Sequence, residues 1–258
     1  YHAALANIET AEGKFYIKAH REPLLFSQQF EQRELMVNNT DCRYWHDEKL
    51  SLMALLPQDQ CLQKADNRNT VIILGDSFAD DTFGAMRQHF PNTKLIRLPQ
   101  ARCEISPYFY RDPKSDCRHY LQASGIQTIL IAKQWTGHHA ELQDDLNQLT
   151  TDGFDIIMIG PGIEFDDWLY SLLSHRKPDS SLQDSVYSRM RMERFELNET
   201  MQQFYSQQNI KYINRIDLFC HAANECELLS DDGNLFIFDW NHLFPAGMDF
   251  FGKKLAQH

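Results

Sequence analysis

The stretch Val71-Ile72-Ile73-Leu74-Gly75-Asp76-Ser77-Phe78 decides the fold. Its first four residues are apolar without interruption and three are β-branched, as in a strand buried on both faces, where polar and apolar positions cannot alternate. Gly75 then permits a tight turn without a Cβ clash. Asp and Ser are residues that cap helices, and helical character follows from Asp80 to His89.

The same grammar continues downstream. Strands are predicted at Lys94 to Leu98, Thr128 to Ala132, Asp155 to Gly160 and Lys211 to Ile216, and helices at Ala140 to Leu149, Met192 to Gln208 and Ala246 to Gln257. Strands alternating with helices predict an α/β fold: a three-layer, doubly wound sandwich around a mostly parallel central sheet, flavodoxin-like in its broad architecture. Its crossovers should be right-handed and its site should lie at the carboxyl ends of the strands. Residues 1 to about 68 show no sustained period and read as an irregular or partly helical lead-in. No internal repeat or low-complexity tract interrupts the chain.

With 258 residues, 43% of them hydrophobic, the chain can bury the core of one large domain, or of one domain with an appendage. A formal net charge of -11 and the absence of any dense Lys/Arg run argue against nucleic acid or anionic lipid as partner. The longest apolar runs are strand-length, far short of the roughly 20 residues of a membrane-spanning helix. The chain begins at Tyr1 without Met or a signal-like segment, as expected of a processed or excised portion of a longer protein.

Cys42, Cys61, Cys103, Cys117, Cys220 and Cys226 show no C-x-x-C spacing of a zinc or redox site. Six thiols allow 15 pairings. Pairing sequence neighbours, Cys42 with Cys61, Cys103 with Cys117 and Cys220 with Cys226, closes short loops beside core strands and favours an oxidising compartment. The alternative is six buried, reduced thiols in a cytosolic enzyme.

Ser77 stands where a nucleophile belongs, at the outlet of a buried strand near a helix N-terminus, where its own amide can stabilise an oxyanion. The same Gly-Asp-Ser also makes ordinary turns and caps. A serine nucleophile requires a base, usually a histidine oriented by a carboxylate. Leu235-Phe236-Ile237-Phe238-Asp239-Trp240-Asn241-His242-Leu243-Phe244-Pro245-Ala246-Gly247 supplies both, read as an apolar strand, a short loop and a helix start. Three residues apart on a loop, Asp239 and His242 can meet through carboxylate and Nδ1, leaving Nε2 for Ser77. A rival Asp-x-x-His, Asp116 to His119, lies in a loop rich in Cys and Pro with no strand leading into it, and ranks below.

These blocks resemble the SGNH-hydrolase (GDSL-like) superfamily. Gly75-Asp76-Ser77, Cys103 after the second strand, Ile129 to Trp135, Tyr212-Ile213-Asn214 leading to Cys220, and Asp239-Trp240-Asn241-His242-Leu243 together resemble the SGNH domain fused to membrane acyltransferase-3 domains, over about residues 42–258. The resemblance divides the chain into an extension or linker packing on the main domain, 1–41, and an SGNH-like catalytic domain, 42–258. It implies O-acetylation of a bacterial envelope glycan such as lipopolysaccharide O-antigen, through an acyl-enzyme on Ser77. The domain itself would bind no cofactor and no metal. Acetyl would come ultimately from acetyl-CoA through a membrane acyltransferase-3 domain, expected on the same polypeptide N-terminal to this chain, tethering the domain in the periplasm at the inner membrane. A carbohydrate acetyl-esterase with the same triad and a silent glycan-binding domain are the alternatives. The Gly75 loop lacks G-x-G-x-x-G and G-K-[ST], which argues against a flavodoxin-like phosphate-binding module.

The chain departs from the wider superfamily at the oxyanion hole. The Asn-containing block is replaced by Ala132-Lys133-Gln134-Trp135 and the glycine of the second block by Gln100-Ala101-Arg102-Cys103. The candidate donors are therefore the amide of Ser77, a backbone amide near Arg102, and Gln134, itself readable as a plain surface residue. His138, His139 and Glu141 read as a solvated helix face before a metal site, and Glu164, Asp166 and Asp167 as the opening of a helix near Trp168. Trp135, Trp168 and Trp240 could stack on sugars, although buried aromatics are the ordinary reading; Trp240 is the first choice for substrate contact.

Overall fold

The computed structural model describes residues 10, 11, 13–15, 18, 25–38, 42–43, 52–55, 61, 69–98, 100, 103–137, 139–174, 186–208 and 210–258. In chain order its main elements are α1 (Leu25–Asn38), α2 (Leu52–Leu55), β1 (Thr70–Gly75), α3 (Ser77–His89), β2 (Lys94–Arg97), α4 (Asp116–Ser124), β3 (Thr128–Ala132), α5 (Gln143–Thr151), β4 (Asp155–Ile159), α6 (Leu169–Ser174), α7 (Glu193–Ser206), β5 (Lys211–Ile213), α8 (Arg215–Phe219), β6 (Cys220–Ala222), β7 (Glu225–Cys226) and α9 (Pro245–Leu255). By internal contacts the chain forms two compact units, one of residues 40–161 and 197–214, the other of residues 1–39, 162–196 and 215–258.

The first unit holds the parallel sheet, in the order β2-β1-β3-β4-β5. The order reverses at β1, so the chain winds one way to β2 and the other way through β3, β4 and β5, as the alternation of elements predicts. Ile72, Leu74, Ile129, Ile131, Ile156 and Met158 line one face and bury against Cys117, Tyr120 and Leu121 of α4, Leu146 and Leu149 of α5, and Met201 and Tyr205 of α7. Ile73, Leu130 and Ile159, which point the other way, are equally buried. Each such side chain is worth about 1.5–3 kcal/mol on burial, which is why the strand sequences are apolar at consecutive positions.

The second unit is held by aromatic packing. Phe219 contacts Phe236, Phe250 and Phe251, and the Phe236 and Phe250 rings stack at 4.7 Å. Gly247 of α9 lies so close to the chain at Phe236 that a Cβ there would come within 2.2 Å of its carbonyl oxygen. The three disulfides pair as neighbours, Cys42–Cys61, Cys103–Cys117 and Cys220–Cys226, and reduced thiols are thereby overturned.

Several boundaries differ from the sequence reading. Helix α3 begins at Ser77, because the Asp76 side chain caps it from Phe78 N onward. A 3-10 turn, His139–Leu142, precedes α5. The strand expected to reach Ile216 stops at Ile213, and Arg215 opens α8. Leu235 to Phe238 adds no strand to the sheet; Leu229 with Leu235 and Ile237 with Leu243 make only isolated antiparallel bridges. Apolarity at Leu235, Phe236 and Ile237 reflects burial among side chains, which periodicity alone cannot separate from strand pairing.

Gly75 faces Ala132 across the β1–β3 ladder with φ of 137°, and a Cβ on it would lie 1.7 Å from the Ala132 carbonyl oxygen. Gly75→Ala is therefore expected to lose about 3 kcal/mol or more of stability, from backbone strain and overpacking together. Chemical denaturation checks this; a variant as stable as the wild type would contradict the close approach.

Candidate active site

The nucleophile candidate stands at the carboxyl end of β1. Asp76 Oδ1 accepts the amide of Phe78 at 3.0 Å, capping α3, while its Oδ2 accepts the amide of Gln134 at 2.8 Å, just past the end of β3. One carboxylate thus ties the helix start to the outlet of the neighbouring strand. Ser77, the first residue of α3, follows immediately and is half-buried. Behind the turn lies a charge in an apolar strand: Arg97, 4% exposed, donates through Nη2 to the carbonyls of Gly75 and Asp76, both at 2.9 Å. Its Nε donates to Asp80, which also pairs with Arg43.

Asp239 and His242 meet on a tight turn in the other unit. The Phe238 amide donates to the His242 carbonyl and the Phe244 amide to the Phe236 carbonyl, pinching the loop between them. Asp239 Oδ1 accepts the amides of Asn241 and His242, each at 2.8 Å, and Oδ2 lies 2.6 Å from His242 Nδ1. Pairing through Nδ1 sets the imidazole orientation and leaves Nε2 as the atom for proton transfer. Burial, the largest single influence on the Asp239 carboxyl, raises its pKa. The His242 bond and charge and the two backbone amides outweigh it and hold the group below its ordinary 3.8.

The loop is braced from two sides within its unit. Amides of Phe165 and Leu169 donate to the carbonyls of Trp240 and Asp239. This segment is clamped by Glu164 with Arg194 at 2.8 Å and by Asp166 with Arg189 at 2.7 Å, so these two carboxylates serve as ion-pair partners more than as helix openers. On the other side the Phe238 ring stacks on His242 at 5.7 Å, and Arg33 of α1 lies over Phe238 while donating to the Leu243 carbonyl.

Other candidates fare differently. Arg102 lies outside the described residues, as does His138. The Gln134 backbone amide is engaged by Asp76. Trp135 is buried, its Nε1 donating to the Ile159 carbonyl, which makes it a tie between strand ends, whereas Trp168 and Trp240 are 46% and 44% exposed. His139 packs on Phe204 and Tyr205, and burial lowers its pKa. In the rival pair, the Asp116 carboxylate accepts the Leu52 amide while His119 is exposed. Among the described residues, no three His, Cys, Asp or Glu side chains could together hold a metal ion. Sequence reasoning passed over Arg97 and Arg33. A cation in the apolar run Leu95-Ile96-Arg97-Leu98 was the available signal for the first; nothing marked the second.

Because the folded-state pKa of Asp239 is depressed, its contribution to stability is complete above about pH 5 and lost as pH falls through the folded value. The stability gap between wild type and Asp239→Asn should therefore be full above about pH 5 and narrow as pH falls below the ordinary 3.8 and through the lower folded value. Denaturation curves across pH measure it; a constant gap would contradict the assignment.

No curated protein matches the chain by sequence. The periplasmic domain of a lipopolysaccharide acetyltransferase from Salmonella ser. Paratyphi A shares its fold, with a TM-score of 0.66 at 18% identity over 90% of this chain and 96% of that one. A protein from Bacteroides fragilis NCTC 9343 provisionally described as an acylhydrolase aligns with a TM-score of 0.48 at 11% identity, over 83% of this chain and 96% of that one. Residues 41–257 match the family described as the SGNH domain fused to AT3 domains. With well over half of its length matched, the chain belongs to that SGNH family.

Proposed function

We propose that this domain is a serine O-acyltransferase that moves an acetyl group through Ser77 to a hydroxyl of a bacterial envelope glycan such as lipopolysaccharide O-antigen. The observation that carries this reading is the Asp239–His242 pair, 2.6 Å between Oδ2 and Nδ1, in a chain whose Ser77 opens a helix at the carboxyl end of a buried strand. Membership in a family fused to AT3 domains supports it, as does likeness of fold to an acetyltransferase periplasmic domain.

In the first step His242 Nε2 takes the Ser77 hydroxyl proton as Oγ attacks the acetyl carbonyl carbon, and the proton passes to the leaving group as its bond to that carbon breaks. In the second, Nε2 takes the proton of a sugar hydroxyl, whose oxygen attacks the acetyl-serine ester; the proton returns to Ser77 Oγ. Asp239 keeps the imidazole in the tautomer that both steps need. The Ser77 amide serves the oxyanion, with Gln134 as a second donor and Trp240 as a face for the acceptor sugar. Acetyl comes ultimately from acetyl-CoA through a membrane acyltransferase domain, placing this domain in the periplasm, an oxidising compartment that suits three disulfides.

Incubation with p-nitrophenyl acetate should place an acetyl group on Ser77, read by mass spectrometry, and Ser77→Ala should abolish it; equal labelling of the two would sink the reading. Asp239→Asn should retain Ser77 but turn over about 10³- to 10⁴-fold more slowly. With a glycan acceptor present, new sugar ester marks a transferase, and release of acetate alone would identify an esterase.

A further inference from the structure

We infer that Arg97 is a positioning residue that polarises and aims the Ser77 amide, an inference that rests on the Ser77 reading proposed above. The Asp76 carbonyl and the Ser77 N–H belong to the same peptide unit, and that peptide is trans, so its carbonyl and N–H point in opposite directions. The carbonyl accepts from Arg97 Nη2 at 2.9 Å and from the Ala79 amide at 3.0 Å. With the oxygen fixed toward the guanidinium, the N–H is aimed the other way, outward from the start of α3, as first-turn amides are.

A charge-assisted bond to a carbonyl draws electron density toward oxygen and makes the N–H of that peptide a stronger donor. The same Nη2 holds the Gly75 carbonyl at 2.9 Å, so both peptides entering Ser77 are fixed by one atom. Nη1 donates to the Leu98 carbonyl and Nε to Asp80 Oδ1 at 2.9 Å, while Arg43 takes the other Asp80 oxygen at 2.9 Å. All three guanidinium nitrogens are therefore committed, and the group has one orientation. A buried cation flanked by the buried Ile96 and Leu98 is a costly choice unless the fork is needed.

Arg97→Lys keeps the charge beside Asp80 and removes the fork. Per acetyl-labelled Ser77, its kcat on p-nitrophenyl acetate should fall about 10- to 100-fold, somewhat less than loss of a whole oxyanion donor. KM should stay within about twofold, and affinity for phenylboronic acid, which forms a tetrahedral anionic adduct on serine, should fall by the same factor as kcat. A residue that merely holds the fold would lower the labelled fraction and leave kcat per labelled site and boronate affinity unchanged; that result overturns the inference. If Arg97→Lys does not fold, Asp80→Ala, which removes the acceptor of Nε, is measured in the same way, and unchanged boronate affinity there overturns it equally. Ser77→Ala runs in parallel: should it remain active, the proposed nucleophile fails and not the role of Arg97 alone.

Discussion

The Asp76 carboxylate accepts one amide from Phe78, at the start of the helix after the first strand, and one from Gln134, beyond the end of the third. The conformation at Ser77 depends on this bond pair. A strand buried on both faces must stop abruptly for its outlet to reach the surface, and the following helix must present its first turn there. Gly75 allows the stop, pressed against the backbone at Ala132 where a side chain has no room. Asp76 then satisfies one of the amides that a helix start leaves open and locks the turn to the neighbouring strand.

Buried charge is concentrated behind this turn. Arg97 and Arg43 share Asp80, and the Arg97 fork spends its other hydrogens on three backbone carbonyls. Burying a guanidinium is tolerable only when each donor finds an acceptor. The carbonyls of Gly75 and Asp76 at the turn, and of Leu98 just past the end of β2, are acceptors of that kind. The turn and the cation thus satisfy each other, and removing either leaves the other with unmatched polar groups.

Much of this was legible from residue order. The five parallel strands fall where strands were predicted, most plainly at β1 and β3, because a sheet covered on both faces demands apolar residues at consecutive positions. The neighbour pairing of the cysteines, too, followed from short loop closure. Leu235 to Phe238 misled: a buried segment outside the sheet carries the same apolarity as a buried strand. Arg33 was illegible for a different reason. Its contacts with Phe238 and Leu243 span 205 or more positions, and only tertiary structure brings such residues together. Trp135 follows the ordinary reading of a buried aromatic, its indole N–H spent on the Ile159 carbonyl.

The two motif aspartates share one local device and differ in what the second oxygen meets. In each, Oδ1 accepts the amide two residues on, Phe78 for Asp76 and Asn241 for Asp239. That bond costs little sequence and fixes the carboxylate against its own backbone. What the second oxygen meets then sets the role. For Asp76 it is another backbone amide, Gln134, and the group is structural. For Asp239 it is the His242 imidazole, and the group orients that ring. Asp116 shows the same logic by contrast: its carboxylate meets the Leu52 amide, and the histidine three residues on is exposed. An Asp-x-x-His spacing therefore brings carboxylate to imidazole only where the turn consumes one oxygen locally and delivers the other to the ring. The pinched loop between Phe236 and Phe244 meets that condition, and a helix start at Asp116 does not.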